Sequence, residues 1–235
     1  MNDIFNENVP LKTETPAFAK HVLPAVPSSE AYLEDCVTAL KRYNDNHFDL
    51  AIVDPPYGIG ANKMTLGNGK KKIYRGLNDW DKTIPSENYF SELFRVSKNQ
   101  IVWGGNYMTE FLPPTSAWLF WDKETGANDF ADGELAWTSY NGALRKITKQ
   151  WLGANAKDEA ARIHPTQKPI YLYEWIINRF CKEGFNVLDT HLGSGSIAIA
   201  CHNYNVNLTA CELDKEYFDK AMLRLKNHTN QVKLF

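Results

Sequence analysis

Short, nearly continuous apolar runs alternate along this chain with segments in which apolar residues recur at the period of a helix. Asp49–Asp54 (DLAIVD) and Phe185–Asp189 (FNVLD) are two of the apolar runs, and their length and character are typical of strands buried on both faces. Strands that are separated by helices pair in parallel, and the helices then cover the sheet. The alternation therefore predicts an α/β fold with a mostly parallel sheet between two layers of helices.

Seven strands are predicted from these runs, the last of them antiparallel. Ala117–Asp122 and Glu134–Tyr140 are predicted to pair as an antiparallel hairpin, because Gly126 and an Asp-Gly pair lie in their connection. The other predicted strands are Ala31–Glu34, Asp49–Asp54, Asn99–Trp103, Phe185–Asp189 and Leu208–Glu212. Helices are predicted after Asp35, which would cap the first of them, and over Ser86–Ser97, residues 169–183, Ser194–Tyr204 and Lys215–Asn227.

The charge balance excludes a histone-like or polybasic protein, because 26 Lys and Arg residues stand against 28 Asp and Glu residues, a net charge of −2. Any contact with nucleic acid must therefore come from a local basic patch. The four cysteines form no CxxC pair and lie near no histidine at the spacing of a zinc site, so thiols in a reducing compartment and no metal are expected. The polar N-terminus and the lack of a long apolar stretch predict a soluble, cytoplasmic protein that does not contact a membrane.

Asp54-Pro55-Pro56-Tyr57 follows directly on the DLAIV strand. The two prolines fix the backbone and remove two N–H donors, so a carboxylate, a rigid carbonyl and an aromatic face are held together at the end of one strand. Two acceptors beside a ring suit a planar heterocycle that bears an amino group. By composition alone, the segment is equally typical of a strand end that is followed by a turn.

A glycine-rich segment, Asp189–Ser196 (DTHLGSGS), joins the FNVLD strand to the next helix. Glycines at this place let a ligand approach the backbone and the helix N-terminus. Gly193-x-Gly195, with Glu212 at the end of the next strand, also fits a dinucleotide fingerprint, so an NAD-dependent oxidoreductase is one alternative. Asp189 argues against that alternative, because a carboxylate before the glycines would oppose a pyrophosphate and attract a cationic amine.

A third segment, His164–Pro169 (HPTQKP), precedes the helix that leads into the FNVLD strand, and by itself it is more typical of a solvated helix cap. The three segments together resemble those of the S-adenosylmethionine-dependent DNA amino-methyltransferases, which modify adenine N6 or cytosine N4. Their order, with DPPY ahead of the glycine loop, is that of the permuted β group, and the resemblance runs from about Tyr32 to about Asn227. DPPY and HPTQKP match the family pattern without change, whereas His191 stands where the family's DxFxGSG loop has phenylalanine.

The resemblance implies a Rossmann-like fold and the residues of a site. Asp54, Pro55, Pro56 and Tyr57 are the expected catalytic residues: Asp54 and the Pro55 carbonyl would accept the hydrogens of the target amine, and Tyr57 would stack on the base. Asp35 would bind the adenine amino group of the cofactor, Asp189 its amino end and Glu212 its ribose. The expected cofactor is S-adenosyl-L-methionine, without a metal, and its full set of expected contacts is Asp35, Cys36, His164, Thr166, Gln167, Lys168, Asp189, His191, Gly193, Ser194, Gly195, Glu212 and Leu213.

Double-stranded DNA with a flipped target base is the expected partner, because the exocyclic amine cannot be reached inside a duplex. The long loop Gly58–Pro85 and a second cluster beside Trp151 are basic, and both are expected to bind phosphates, although each could be only a solvated surface. The basic residues concerned are Lys63, Lys70, Lys71, Lys72 and Arg75 in the loop and Arg145, Lys146 and Lys149 in the second cluster.

The resemblance also divides the chain. Residues 1–30, rich in proline, are expected to be an extended arm, and residues 31–235 a single methyltransferase domain. Within that domain, a catalytic half (31–140) and a cofactor half (164–227) flank a recognition or linker region (141–163), which is too short for a separate recognition domain. A short target sequence or a homodimer would follow. Adenine N6 is favoured because the motif begins with Asp; a second hypothesis is an N4-cytosine enzyme, and a third is a DNA-binding accessory protein with an inactive site.

Overall fold

The structure is a computed structural model that describes residues 27–60, 80–125, 131–150 and 163–230. These residues contain strands β1 (Ser29–Leu33), β2 (Leu50–Val53), β3 (Gln100–Trp103), β4 (Leu119–Asp122), β5 (Gly133–Thr138), β6 (Arg145–Thr148), β7 (Asn186–Asp189) and β8 (Asn207–Glu212). The helices are α1 (Cys36–Leu40), α2 (Glu87–Val96), α3 (Ile170–Phe180), α4 (Ser196–Asn203) and α5 (Lys215–Thr229), and a short 3-10 turn, Gly105–Tyr107, follows β3.

The strands form one sheet in the order β1-β8-β7-β2-β3-β5-β4-β6. Neighbours pair in parallel except at β5, which runs antiparallel to both β3 and β4. The predicted α/β class, the mostly parallel sheet and the antiparallel hairpin are therefore confirmed. The prediction that the last strand is antiparallel is wrong: the antiparallel strand is β5, the second strand of that hairpin, and β8, the last of the described strands, is parallel to both of its neighbours.

The sheet described has eight strands, one more than the seven predicted. The additional strand, β6, lies inside the region 141–163 that the sequence assigns to recognition or linkage, and it pairs in parallel with β4 at one edge of the sheet. Its side chains are mostly exposed and include Arg145 and Lys146. An edge strand is paired on one side only and often carries charged residues, so no apolar run marks it in the sequence.

The two faces of the sheet build two cores, because successive side chains of a strand point to opposite sides. Leu50 and Ile52 of β2 face the side covered by α3, α4 and α5. Ala51 and Val53 of the same strand face the side covered by α1 and α2, where Leu93 of α2 is fully buried. Helices therefore cover both faces, as predicted.

Several element boundaries differ from the prediction by a few residues. β1 begins at Ser29, so the last two residues assigned to the N-terminal arm are part of the sheet, while residues 1–26 lie outside the described residues. The helix expected to begin at Ser194 begins at Ser196, because Gly195 has a positive φ of 71° and cannot be its first helical residue. The α1 cap is as predicted: Asp35 Oδ1 accepts the Thr38 N–H at 2.8 Å. None of the described helices is long and apolar enough to cross a membrane.

Candidate active site

Two carboxylates lie at the same edge of the sheet, at the ends of adjacent strands. Asp54 follows β2, and Asp189 is the last residue of β7. The two strands are parallel, with Ala51 paired to Leu188, so both chains leave the sheet on the same side. The strand order thus places the DPPY turn next to the glycine loop, although the two segments are far apart in the sequence.

The turn after Asp54 is held by the buried carboxylate of Asp81. Asp81 Oδ1 accepts the backbone N–H of Tyr57 at 2.8 Å and that of Gly58 at 2.9 Å, and its backbone oxygen accepts the N–H of Gly60 at 3.1 Å. Pro55 and Pro56 offer no N–H, so these are the first donors that follow Asp54. Sequence reasoning missed Asp81, which lies in a loop with no recognisable motif.

The ring of Tyr57 packs against the chain that leaves β3. Gly104 has φ = 66°, and a Cβ at this position would lie 2.2 Å from the Tyr57 ring, so only glycine fits. Tyr107 stacks on Tyr57 with ring centroids 5.2 Å apart and an angle of 17° between the planes. Tyr107 is 46% exposed, so the stacked pair opens to solvent.

Asp54 is part of a cluster of charged side chains from four separate parts of the chain. Lys168 Nζ lies 2.6 Å from Asp54 Oδ2 and 3.1 Å from Glu134 Oε2. The Tyr57 hydroxyl donates to Asp54 Oδ1 at 2.7 Å and accepts from Lys168 Nζ at 3.0 Å. Lys123 Nζ forms an ion pair with the other oxygen of Glu134. The cluster therefore contains two cations and two anions around one phenol.

Burial and charge pull the pKa values of this cluster in opposite directions. Burial raises the pKa of Asp54, against the attraction of Lys168. Burial would also raise the pKa of Glu134, but Lys168 and Lys123 together lower it to about 2. Burial would lower the pKa of Lys168, which is 3% exposed, but the two carboxylates raise it. The pKa of Tyr57 lies well above its usual value because of burial and the same carboxylates, so the phenol stays a hydrogen-bond donor.

The glycine loop is held by the two acids that end β7 and β8. Glu212 Oε2 accepts the Gly193 N–H at 2.8 Å, and Glu212 Oε1 accepts the Asp214 N–H at 2.9 Å. Asp189 Oδ1 accepts the His191 N–H at 3.0 Å. The φ angle of Gly193 is 52°, a left-handed conformation that folds the loop back towards the sheet.

Burial also shifts the two titratable residues of the loop. It raises the pKa of Asp189 to about 8, although the His191 N–H and Lys168 act in the other direction. It lowers the pKa of His191 to about 4, so this imidazole is neutral near pH 7. His191 Nδ1 lies 2.9 Å from the Thr190 hydroxyl, which is 2.7 Å from the hydroxyl of Tyr89 on α2. The residue that departs from the family pattern is thus fixed by a hydrogen-bonded chain.

The remaining expected cofactor contacts fall in two places. Asp35, Cys36 and Leu213 follow the paired strands β1 and β8; Leu213 is 60% exposed, and burial raises the pKa of the Cys36 thiol to about 12. His164 lies over the glycine loop, where a Cβ on Gly193 would be 3.8 Å from its ring, and it packs edge-on against Tyr217. Its Nδ1 accepts the N–H of Thr166, and Gln167 Oε1 accepts the N–H of Ile163.

Ser194 and Gly195 close the loop: the Ser194 hydroxyl lies 3.1 Å from that of Ser196, and Gly195 N–H donates to the Leu192 oxygen.

Lys168 differs from the other expected cofactor contacts, because its ammonium points at Asp54 and not at the glycine loop. The structure thus brings Lys168 together with the catalytic motif, and it adds Glu134, Lys123 and Tyr107 to that region. Sequence reasoning missed these three residues; the one local signal that could have pointed to Tyr107 is the pair Gly104-Gly105, which ends shortly before it.

Of the residues expected to bind DNA, three are described. Arg145 and Lys146 lie on the exposed edge strand β6, and Lys149 follows it. Lys146 Nζ is 2.9 Å from Asp122 Oδ2, and Lys149 Nζ lies 4.1 Å from the centroid of the Tyr171 ring. Two of these three cations are therefore already engaged by the protein. The other expected contacts, Lys63, Lys70, Lys71, Lys72 and Arg75, lie outside the described residues.

Comparison with known proteins matches the DNA methylase family of N6 and N4 enzymes over residues 113–223. The type II methyltransferase M2.DpnII of Streptococcus pneumoniae is 31% identical over 74% of this chain, which covers 58% of that protein. M.HpaI of Haemophilus parainfluenzae is 26% identical over 83% of the chain and 74% of its own length. M2.LlaDCHI of Lactococcus lactis subsp. cremoris is 28% identical over 72% of the chain, which covers 55% of that relative. The chain thus spans little more than half the length of two of these relatives.

Solved structures share the fold. M1.HpyAVI in complex with SAM has a TM-score of 0.54 at 19% identity, and the match covers 86% of this chain and all (100%) of that one. TTHA0409 of Thermus thermophilus, solved with S-adenosyl-L-methionine, has a TM-score of 0.57 at 15% identity over 87% of this chain and 96% of its own. The cytosine-N4-specific PvuII DNA methyltransferase has a TM-score of 0.55 at 14% identity over 88% and 93% of the two chains. The Rossmann-like fold and the resemblance predicted from the motifs are confirmed.

Proposed function

This chain is related to the DNA amino-methyltransferases, and from that premise we propose that it transfers a methyl group from S-adenosyl-L-methionine to an exocyclic amine in double-stranded DNA. The observation that carries the proposal is the placement of Asp54 beside Asp189 at the ends of two adjacent parallel strands. One carboxylate can accept from an amine of the base, and the other can hold a cationic cofactor. A methyl donor and its acceptor can therefore meet between them.

The residues of the glycine loop suit this cofactor. Asp189 is a carboxylate whose pKa burial raises to about 8, and it would gain an ionic partner from a cationic amine. Glu212 already accepts two backbone N–H groups, and carboxylate oxygens have further lone pairs for ribose hydroxyls. Asp35 and Leu213 lie at the ends of β1 and β8, where they can contact the adenine. When bound, the sulfonium of the cofactor supplies an activated methyl group.

The catalytic motif would act by position and charge. The Asp54 carboxylate and the Pro55 carbonyl accept the two hydrogens of the target amine, which favours a nitrogen lone pair that is free to form the new bond. Asp54 is then the acceptor for the proton that leaves the nitrogen, and its raised pKa suits that task. The stacked pair of Tyr57 and Tyr107 opens to solvent and offers an aromatic surface to a flipped base, which stacking stabilises by about 1–3 kcal/mol.

The proposed target is adenine N6, because the motif begins with Asp54, and cytosine enzymes of the family more often begin with Ser. The related proteins do not decide this point, since a cytosine-N4-specific enzyme is among the structures that share the fold. The proposed partner is DNA held by the basic residues around the site, in a cytoplasmic protein that acts alone or as a homodimer. Arg145 on the exposed edge strand β6 is the described residue best suited to a phosphate, because its guanidinium makes a long hydrogen bond of 3.5 Å to the Leu144 oxygen, whereas Lys146 forms an ion pair and Lys149 a cation–π contact.

A nucleoside analysis tests the proposal. Duplex DNA incubated with the protein and methyl-labelled S-adenosyl-L-methionine is digested to nucleosides, which are separated and identified by mass. We expect N6-methyladenine, and Asp54→Ala should form none. N4-methylcytosine would replace the adenine assignment by the cytosine alternative. Absence of both products, with folded wild-type protein shown to bind the cofactor, would favour the accessory DNA-binding protein.

A further inference from the structure

The cluster around Asp54 contains one carboxylate that the proposed reaction does not use. Glu134, on the antiparallel strand β5, lies 3.1 Å from Lys168 Nζ through Oε2 and pairs with Lys123 through Oε1. Its side chain is 23% exposed, and that of Lys168 only 3%. A buried ion pair costs desolvation free energy that a plain apolar contact would not, so its presence at this site calls for a purpose other than stability.

The position of Lys168 creates a difficulty for the proposed reaction. The target nitrogen gains positive charge as its lone pair forms the bond to the methyl carbon, while the electron pair of the sulfur–carbon bond goes to sulfur. Asp54 stabilises that charge only to the extent that its own negative charge is not already offset. Lys168 Nζ, 2.6 Å from Asp54 Oδ2, offsets it.

Glu134 removes this difficulty. We propose that Glu134 is a positioning residue that neutralises Lys168, so that Lys168 can orient the Asp54 carboxylate while the negative charge of Asp54 remains available to the target amine. The inference rests on the proposed function and deepens it. Lys123, from the end of the partner strand in the hairpin, holds the second oxygen of Glu134 and keeps it ionised.

The geometry supports this division of labour. The Tyr57 hydroxyl holds Asp54 Oδ1 at 2.7 Å, and Lys168 holds Oδ2, so both oxygens of Asp54 are oriented. Glu134 Oε2 is 3.4 Å from the same hydroxyl, which is a longer contact than the hydrogen bond of 2.7 Å from that hydroxyl to Asp54. Glu134 therefore contacts Lys168 and the phenol, and it acts on the amine through them.

Glu134→Gln tests the inference, since it keeps the shape of the side chain and removes its charge. We expect kcat for methyl transfer to fall roughly ten- to hundredfold, less than for loss of Asp54 itself, with the KM for DNA and the Kd for the cofactor within about twofold of wild type. Glu124→Gln is the matched control, because it removes one exposed carboxylate from the same hairpin and should leave kcat unchanged.

A double-mutant cycle with Lys168→Met separates this role from a structural one. If Glu134 acts by neutralising Lys168, the double variant loses much less kcat than the product of the two single losses, because no uncompensated cation remains. Wild-type kcat in Glu134→Gln would overturn the inference, as would multiplicative losses that follow a fall in the melting temperature. Methyl transfer by the wild-type protein is measured in the same series, so a failure of the proposed function is seen separately.

Discussion

The two halves of the site hold their carboxylates in different ways. At the catalytic end, Asp54 and Glu134 are held by side chains, and Lys168, which contacts both, comes from a distant part of the chain, 111 positions from Tyr57. At the cofactor end, Asp189 and Glu212 accept backbone N–H groups only 2 and 19 positions away. The catalytic end is therefore sensitive to charges elsewhere in the fold, whereas the cofactor end is encoded by its own loop.

Loss of Asp54 should give the largest effect and should confine it to one end. Asp54→Ala removes the acceptor for the target amine, and we expect methyl transfer to fall by at least about 10²-fold while cofactor affinity persists. A turnover assay measures methyl transfer, and calorimetry measures the affinity for S-adenosyl-L-methionine. Near-normal turnover would refute the catalytic assignment, and Asp132→Ala, which removes an exposed acid of the β4–β5 hairpin, serves as control.

Gly104→Ala should disturb the catalytic end from a neighbouring strand. A methyl group at this position would lie 2.2 Å from the Tyr57 ring, and φ = 66° adds strain of roughly 1–2 kcal/mol. Gly184→Ala shares the positive φ, at 79°, but meets no atom within 4 Å, so it measures the strain alone. We expect Gly104→Ala to lose more unfolding free energy than this control and to lose turnover, which the control should keep. Equal losses in the two variants would mean that the Tyr57 ring moves aside without cost.

Glu212→Ala should act at the other end only. The variant loses both the proposed ribose contact and the anchor of Gly193, so cofactor affinity should weaken by about 1.5–3 kcal/mol, the range for charge-assisted hydrogen bonds. Calorimetry measures the affinity, and the ion cluster at Asp54 should be unaffected. Unchanged affinity would exclude the ribose role. The affinity of Glu212→Gln, which keeps one acceptor oxygen, should lie between those of the wild-type protein and Glu212→Ala.

Cofactor affinity should depend on pH through Asp189. Its pKa of about 8 means that the carboxyl group of the free protein is mostly protonated at pH 6. A cationic amine favours the ionised form, so binding releases a proton, and affinity should rise from pH 6 to 7.5 by up to about tenfold per unit. Calorimetry in buffers of different ionisation enthalpy counts the protons released. Asp189→Asn should abolish the dependence, and a flat profile in the wild-type protein would contradict the assignment.

The smallest effect should come from Lys70, Lys71 and Lys72, which lie outside the described residues. If they neutralise phosphates, replacing all three with Ala should weaken binding to every DNA sequence about equally and reduce the slope of log affinity against log salt by about 0.9 per contact. Salt titrations on a target and a scrambled duplex measure both quantities. Loss of target preference with an unchanged slope would indicate that the loop reads bases, and no change would indicate a solvated surface.

The contrast between side-chain contacts from distant segments and contacts within one loop explains what the sequence could predict. The glycine loop and the DPPY turn are each a single continuous segment, so their residues and their place at strand ends can be read from the sequence. Glu134 and Lys123 carry no local signal, because their role depends on β5 being inserted antiparallel beside β3. Strand β6 was missed for a related reason: a polar edge strand has no buried run to mark it.

Lys168 shows the limit of motif reasoning most clearly. Four residues of its segment HPTQKP are predicted to contact the cofactor, namely His164, Thr166, Gln167 and Lys168, and His164 does lie over the glycine loop. The side chain of Lys168 instead reaches the neighbouring strand end, where two carboxylates compensate the cost of burying an ammonium. A motif thus predicts where a segment lies, but the charges around it decide where each side chain goes.

The pairing of β1 with β8 has a consequence for how the chain acquires its structure during synthesis. β1 is the first described strand, it lies at the edge of the sheet, and its partner is the last described strand. The hydrogen bond from the Ser28 N–H to Asn207 Oδ1 spans 179 positions. At translation rates of about 5–20 residues per second, β1 waits roughly 10–40 s for its partner to leave the ribosome. Asp35, which follows β1, therefore takes its place beside β8 only after β8 has been synthesised.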